Sequence, residues 1–180
     1  MRNTKTSYGP ITKLFHWVIG VSIITLIAVG LYMTDMKDSP LKWEIFNIHK
    51  ATGVVVFVLA AMRFLWLLIS PVPEFINKTT PMLNYAAKAV HYTMYLMMFG
   101  SPISGIIMSL FSGHAISMYG LYTIEPIYKV HPFAQYALDT HIFLGWFWIA
   151  VLTLHISAAL YHHFFLKDRT LVRMLPGNYK

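Results

Sequence analysis

The chain carries nine histidines, at positions 16, 49, 91, 114, 131, 141, 155, 162 and 163, and several of them stand in long apolar sequence. A neutral imidazole in a hydrocarbon setting needs a partner, because an unsatisfied polar group there costs several kcal/mol. That partner is either an interhelical hydrogen bond or a metal. Spacing bears on the choice. His141 and His155 are 14 residues apart. In a helix that separation rises roughly 21 Å and turns the face by only about −40° beyond whole turns. One helix can therefore present two histidines on one face at two depths, and each would need a counterpart on a neighbouring helix.

The elements that must position them follow from composition. The 180 residues suit one domain, 57% are hydrophobic and only 12% are charged, and mean hydropathy is +0.55. Soluble domains are roughly 25% charged. Four segments exceed the roughly 20 apolar residues that cross a bilayer as a helix. They lie at about 14–34, 45–69, 85–111 and 133–165. The expectation is an all-α membrane protein, a four-transmembrane-helix bundle forming one membrane domain over 1–180. The first span is too long for a signal-peptide core and no A-x-A pattern follows it, so it reads as retained. Pro71 and Pro73 stop the second span, His131-Pro132 opens the fourth, and Pro102 beside Gly100 and Gly105 predicts a kink in the third. The loop from Ser112 to Val130 has no pattern that assigns it a structure.

The net charge of +7 would suggest nucleic acid in a soluble protein, but here its distribution reports topology instead. Arg2, Lys5 and Lys13 lie in the N-terminal arm. Lys78 and Lys88 flank the second connection, and Lys167, Arg169, Arg173 and Lys180 lie in the tail. The other two connections are nearly balanced. Positive-inside counting puts the N- and C-termini in the cytoplasm. His16 and His155 then share the inner depth, and His49 and His141 the outer one, giving the pairs His16–His155 and His49–His141.

His91, on the third span, is a rival for the inner layer. One turn beyond His16, His49, His141 and His155 stand Gly20, Gly53, Gly145 and Ala159, whereas Tyr95 follows His91. A flat macrocycle held edge-on between helices needs such small neighbours, as close-packed backbones do. Small residues are also common in membrane helices, and it is the agreement at all four positions that favours ligation.

Cysteine is absent, which excludes thiolate ligands and covalent C-x-x-C-H attachment. Zinc takes four protein ligands, or three and water, and no carboxylate or thiol accompanies these pairs. Two imidazoles facing one iron suit bis-histidine haem, which handles electrons rather than O₂. The cofactors implied are two non-covalent haem b, with His16, His49, His141 and His155 on iron. Arg63, 14 residues after His49, falls near the inner layer and suits a haem propionate, or else snorkels to the inner surface. Lys50 reads as an interfacial anchor, and the methionines as apolar filler.

"LFHW" around His16, "NIHKATG" around His49, "AMRFLWLLISPVP" around Arg63, "THIFLGW" around His141 and the tail "LHISAALYHHFFLKDRTLVRMLP" cover nearly the whole chain. With these motifs the sequence resembles the bacterial cytochrome b561 family of four-helix, di-haem membrane proteins. The resemblance implies the same four axial histidines in the same pairs. It also implies residence in the bacterial inner membrane among lipid, as a multi-pass protein. The function it implies is electron transfer between an outer-face donor, superoxide or a soluble protein, and ubiquinone. On that view the chain is a superoxide oxidase or another quinone-linked oxidoreductase. His162 and His163, near the inner interface, become candidates to bind the quinone carbonyl and pass its proton. They equally suit an interfacial belt. His114, Lys129 and His131 at the outer face could attract an anionic donor or be ordinary loop. A haem-bearing anchor subunit of a larger dehydrogenase or hydrogenase is the alternative. A histidine-lined metal transporter is a weaker one, since the spans lack the acidic residues such paths use.

Overall fold

The computed structural model describes residues 2–74 and 81–177; Lys78 and Lys180, both counted above for topology, lie outside the described residues. Four helices carry the chain: α1 Pro10–Asp35, α2 Pro40–Ile69, α3 Pro81–Phe111 and α4 Phe133–Phe164. All four are long and apolar enough to cross a membrane. The first three open on proline, whose missing N–H costs nothing where no intrahelical acceptor exists. This is why they begin earlier than hydropathy alone suggests. The Ser39 hydroxyl, from extended backbone, accepts the Lys42 N–H at 3.3 Å and caps α2. α3 runs unbroken through Pro102.

Backbone packing is closest for α3 on α4, α1 on α2 and α2 on α3. The histidines of α1 and α2 therefore face those of α4 across a wider gap. At mid-height all four helices converge on a core of Ile19, Ile23, Val56, Ala60, Met97, Met98, Trp148 and Val151. Trp148 lies midway in sequence between His141 and His155 on one heptad stripe, and its indole donates to Ser101 Oγ at 3.0 Å. The outer faces leave Leu65, Leu96, Phe143 and Trp146 exposed, as lipid contact requires.

The 112–130 loop contains a two-stranded antiparallel hairpin, β1 Ile116–Met118 and β2 Tyr122–Ile124, in register Ile116↔Ile124. Tyr119 and Gly120, both at positive φ (53° and 77°), make its turn. Gly113 is required on two counts: φ is +81°, and a Cβ there would stand 2.5 Å from the Lys129 carbonyl oxygen. The hairpin docks through Ile116, 0% exposed, and through Lys50, whose Nζ donates to the Ala115 carbonyl at 2.7 Å. Lys50 thus clamps the loop.

At the opposite end, the N-terminal arm folds onto the end of α2. Asn3 N–H donates to Ser70 Oγ (3.1 Å), and its side-chain oxygen accepts from Gly9 N–H and Thr12 Oγ1 (2.8 Å each). The tail returns to the same end through a 3₁₀ turn, Val172–Met174, whose Met174 carbonyl accepts Trp17 Nε1 at 2.7 Å. Both termini therefore share one face of the bundle.

Candidate functional site

α1 and α4 bring the rings of His16 and His155 to a centroid separation of 6.2 Å, and α2 and α4 bring His49 and His141 to 6.3 Å. Metal–imidazole bonds run about 2.0–2.1 Å and a ring nitrogen lies roughly 1.1 Å from its ring centre, so imidazoles on opposite sides of one metal stand roughly 6.3 Å apart. Both pairs have that separation. His91 also approaches His155, at 5.5 Å and 82°. This is a closer edge contact, and its Nδ1 donates to the Ala87 carbonyl at 2.7 Å.

In the His49–His141 pair, His141 is positioned by its neighbours. His141 Nδ1 donates to the Ser101 carbonyl at 2.9 Å and lies 3.2 Å from Ser104 Oγ, which leaves Nε2 free to serve as a ligand. Gly105 lets this ring lie against α3, since a Cβ there would sit 3.0 Å from His141 Cε1. His49 Nδ1 is buried with no hydrogen-bond partner among the described residues. A buried nitrogen in that condition calls for a partner the polypeptide does not supply. A cleft between His49 and His141 is lined by Gly53, Val54, Gly105 and Ile106. A Cβ built on Gly20, Gly53 or Gly145 would meet nothing within 4 Å, so the small residues one turn from the histidines face open space. Among the described residues no group of three or more His, Cys, Asp or Glu side chains could hold a metal ion. Donors that meet only in pairs fit iron that takes its remaining ligands from a planar macrocycle.

Arg63 lies within electrostatic reach of His16, His91 and His155, at the level of the His16–His155 pair. Its Nε donates to Tyr95 Oη at 3.3 Å. His162 Nδ1 pairs with Asp168 Oδ2 at 2.6 Å, and His163 packs edge-on against Phe164. At the end of the bundle opposite the termini His114 stacks on Trp43, and His131 Nδ1 accepts the Phe133 N–H at 3.1 Å at the start of α4. These two histidines hold the loop in place. Sequence reasoning missed Ser101, Ser104 and Asp168, whose roles depend on contacts across helices or across a chain reversal.

Burial pushes the Asp168 carboxyl up, but hydrogen bonds from His162 and Thr170 outweigh it and hold it below the usual carboxylate value of 3.8. A depressed folded-state value means stabilisation present above the unfolded value and lost as pH falls through the folded one. Limited proteolysis of the tail is expected to be faster in Asp168→Asn than in wild type at pH 6–7. The two should converge in acid below the carboxylate range; an equal rate at neutral pH would show that the pair does not hold the tail.

A four-span bundle with two stacked pairs of inward histidines, no thiol and small residues beside each ring defines a membrane cytochrome. A model of the prokaryotic cytochrome b561 family matches residues 7–177. The chain is 33% identical to cytochrome b561 homolog 2 of Escherichia coli K12 over 176 residues, covering 96% of this chain and 93% of that protein. It is 33% identical over 164 residues to a probable superoxide oxidase CybB of Yersinia pestis, covering 89% and 91%. It is 27% identical over 165 residues to E. coli cytochrome b561 homolog 1, covering 89% and 92%. The chain belongs to the prokaryotic cytochrome b561 family. It is a multi-pass, lipid-embedded, b-type haem protein of electron transport.

Proposed function

We propose that this cytochrome binds two haems, one per histidine layer, and conducts electrons across the bacterial inner membrane from an outer-face donor to ubiquinone. The observation that carries it is the pair of matched ring separations, 6.2 and 6.3 Å, set at two depths of one bundle. His16 and His155 hold the cytoplasmic haem, and His49 and His141 the outer one. A haem held between two imidazoles would supply one-electron transfer rather than O₂ binding. The polypeptide does the rest. Ser101 fixes the His141 tautomer, the Trp148 layer keeps the region between the histidine pairs dry and packed, and Arg63 neutralises a propionate of the inner haem. The basic arm and tail support a cytoplasmic position for the shared terminal face. There His162, oriented through Nδ1 by Asp168, presents Nε2 toward a quinone carbonyl, with His163 beside it as a second proton carrier.

Superoxide is the proposed donor, by likeness to the relative named a probable superoxide oxidase. The balanced reaction is two superoxide plus ubiquinone plus two protons giving two O₂ and ubiquinol. Stopped-flow mixing of the purified protein with superoxide should reduce its haem rapidly, and added ubiquinone should reoxidise it. If superoxide leaves the haem oxidised while a soluble dehydrogenase or hydrogenase subunit co-purifies and reduces it, the chain is an anchor subunit instead.

A further inference from the structure

Arg173, in the tail beyond His162 and Asp168, takes no part in the proposed electron path. Arg173 sits in the 3₁₀ turn that Trp17 holds through Met174, and the Trp17 ring meets the His16 ring edge-on at 5.5 Å. The tail is thereby fastened beside the inner histidine layer. The guanidinium lies over the Tyr8 ring at 5.5 Å, and its Nη1 donates to the Glu74 carbonyl at 2.9 Å. Its Nε and Nη2 are buried with no hydrogen-bond partner among the described residues. Those two N–H groups lie on one edge of the fork, the edge that offers parallel donors to the two oxygens of a carboxylate or phosphate. A guanidinium stays charged, so leaving that edge buried and unpaired is costly.

A second cation stands close by. Burial raises the Tyr8 hydroxyl above its ordinary value of 10.0, and Arg173 and Arg63 both act on it in the opposite sense. Two guanidiniums thus gather at one end of the His16–His155 layer, and among the described residues neither is paired with a carboxylate. The shared chemistry called for is a buried oxyanion. Lipid phosphate lies in the headgroup zone, whereas the unpaired edge is sealed from the surface and tied to the helix turn that carries His16. A haem brings two carboxylates on one edge, matching two cations.

We propose that Arg173 clamps one propionate of the haem held by His16 and His155, with its Nε–Nη2 edge, while Arg63 takes the other. This rests on the two-layer function proposed above.

The test uses full-length Arg173→Gln and Arg173→Lys, with exposed Arg2→Gln as control. Haem per chain, a redox titration resolving each haem, and phosphorus per chain are measured. A cation beside a propionate favours reduced iron. In Arg173→Gln one of the two midpoint potentials should therefore fall while the other stays. In a His141→Ala background the remaining haem should show the same fall. Arg173→Lys, which keeps charge but loses the fork, should shift less. Unchanged potentials overturn the clamp. So does loss of bound phosphorus without a potential shift, which would make a lipid phosphate the occupant. A wild-type content of one haem per chain overturns the two-layer function instead. Arg173→Gln then still decides the clamp on that haem, an unmoved potential overturning it.

Discussion

Replacing His141 with alanine should lower the haem content of the purified protein from two per chain to one and leave the inner layer loaded. On the proposed reading the substitution removes one of the two protein ligands to the outer iron, and the one imidazole left holds a non-covalent haem less tightly. The layers are roughly 21 Å apart along α4, beyond the distance at which substitutions couple. The polypeptide itself loses little. Ser104 Oγ still donates to the Ser101 carbonyl at 2.8 Å, so no buried group on α3 is orphaned, and the expected cost to the fold is about 1 kcal/mol. His49→Ala should give the same spectrum. The companion pair is sharper still: His16→Ala should lose the inner haem and His91→Ala should keep both, because the 5.5 Å His91–His155 contact leaves no room for an iron between the rings. Pyridine haemochrome assay against protein concentration reads all four. Loss of a haem in His91→Ala with retention in His16→Ala would reassign the inner ligand.

Gly145→Leu is expected to empty the outer layer without harming the helix. A Cβ at this position meets no atom within 4 Å, so the polypeptide has space for the side chain. Leucine in place of a helical glycine also favours α4 by up to about 1 kcal/mol. The only occupant the new side chain would displace is a flat ligand lying against the turn that follows His141. Gly53→Leu, on α2 beside His49, makes the same test from the facing helix. Circular dichroism should show undiminished helix while the haem ratio falls to one. Full haem content in both variants would mean these glycines face lipid rather than the cofactor.

Much of the architecture was legible because bilayer thickness leaves few choices. Apolar length marked the spans, Pro71 and Pro73 the end of the second and Pro132 the start of the fourth, and the 14-residue spacing of histidine set two depths. The expected partners are the residues that the bundle brings to 6.2 and 6.3 Å. The 112–130 loop was opaque because strands of three residues carry almost no periodicity, and its hairpin is held by Lys50 and Ile116 from outside the turn itself. The tail was opaque for the same reason. Its docking depends on Trp17, Glu74 and Tyr8, which are remote in sequence from Arg173.

The sequence by itself determined a four-span membrane protein with histidines at two depths, since helix geometry and the cost of polar groups in hydrocarbon act on local pattern alone. Only the tertiary structure decided which nitrogen of His141 is tied to Ser101 and how close His91 comes to His155. It also decided that Asp168 pairs with His162 and that the Nε–Nη2 edge of Arg173 is buried, in a turn tied through Met174 to Trp17, the neighbour of His16. Each of these depends on interhelical distance and chain reversal, which no spacing along one helix encodes.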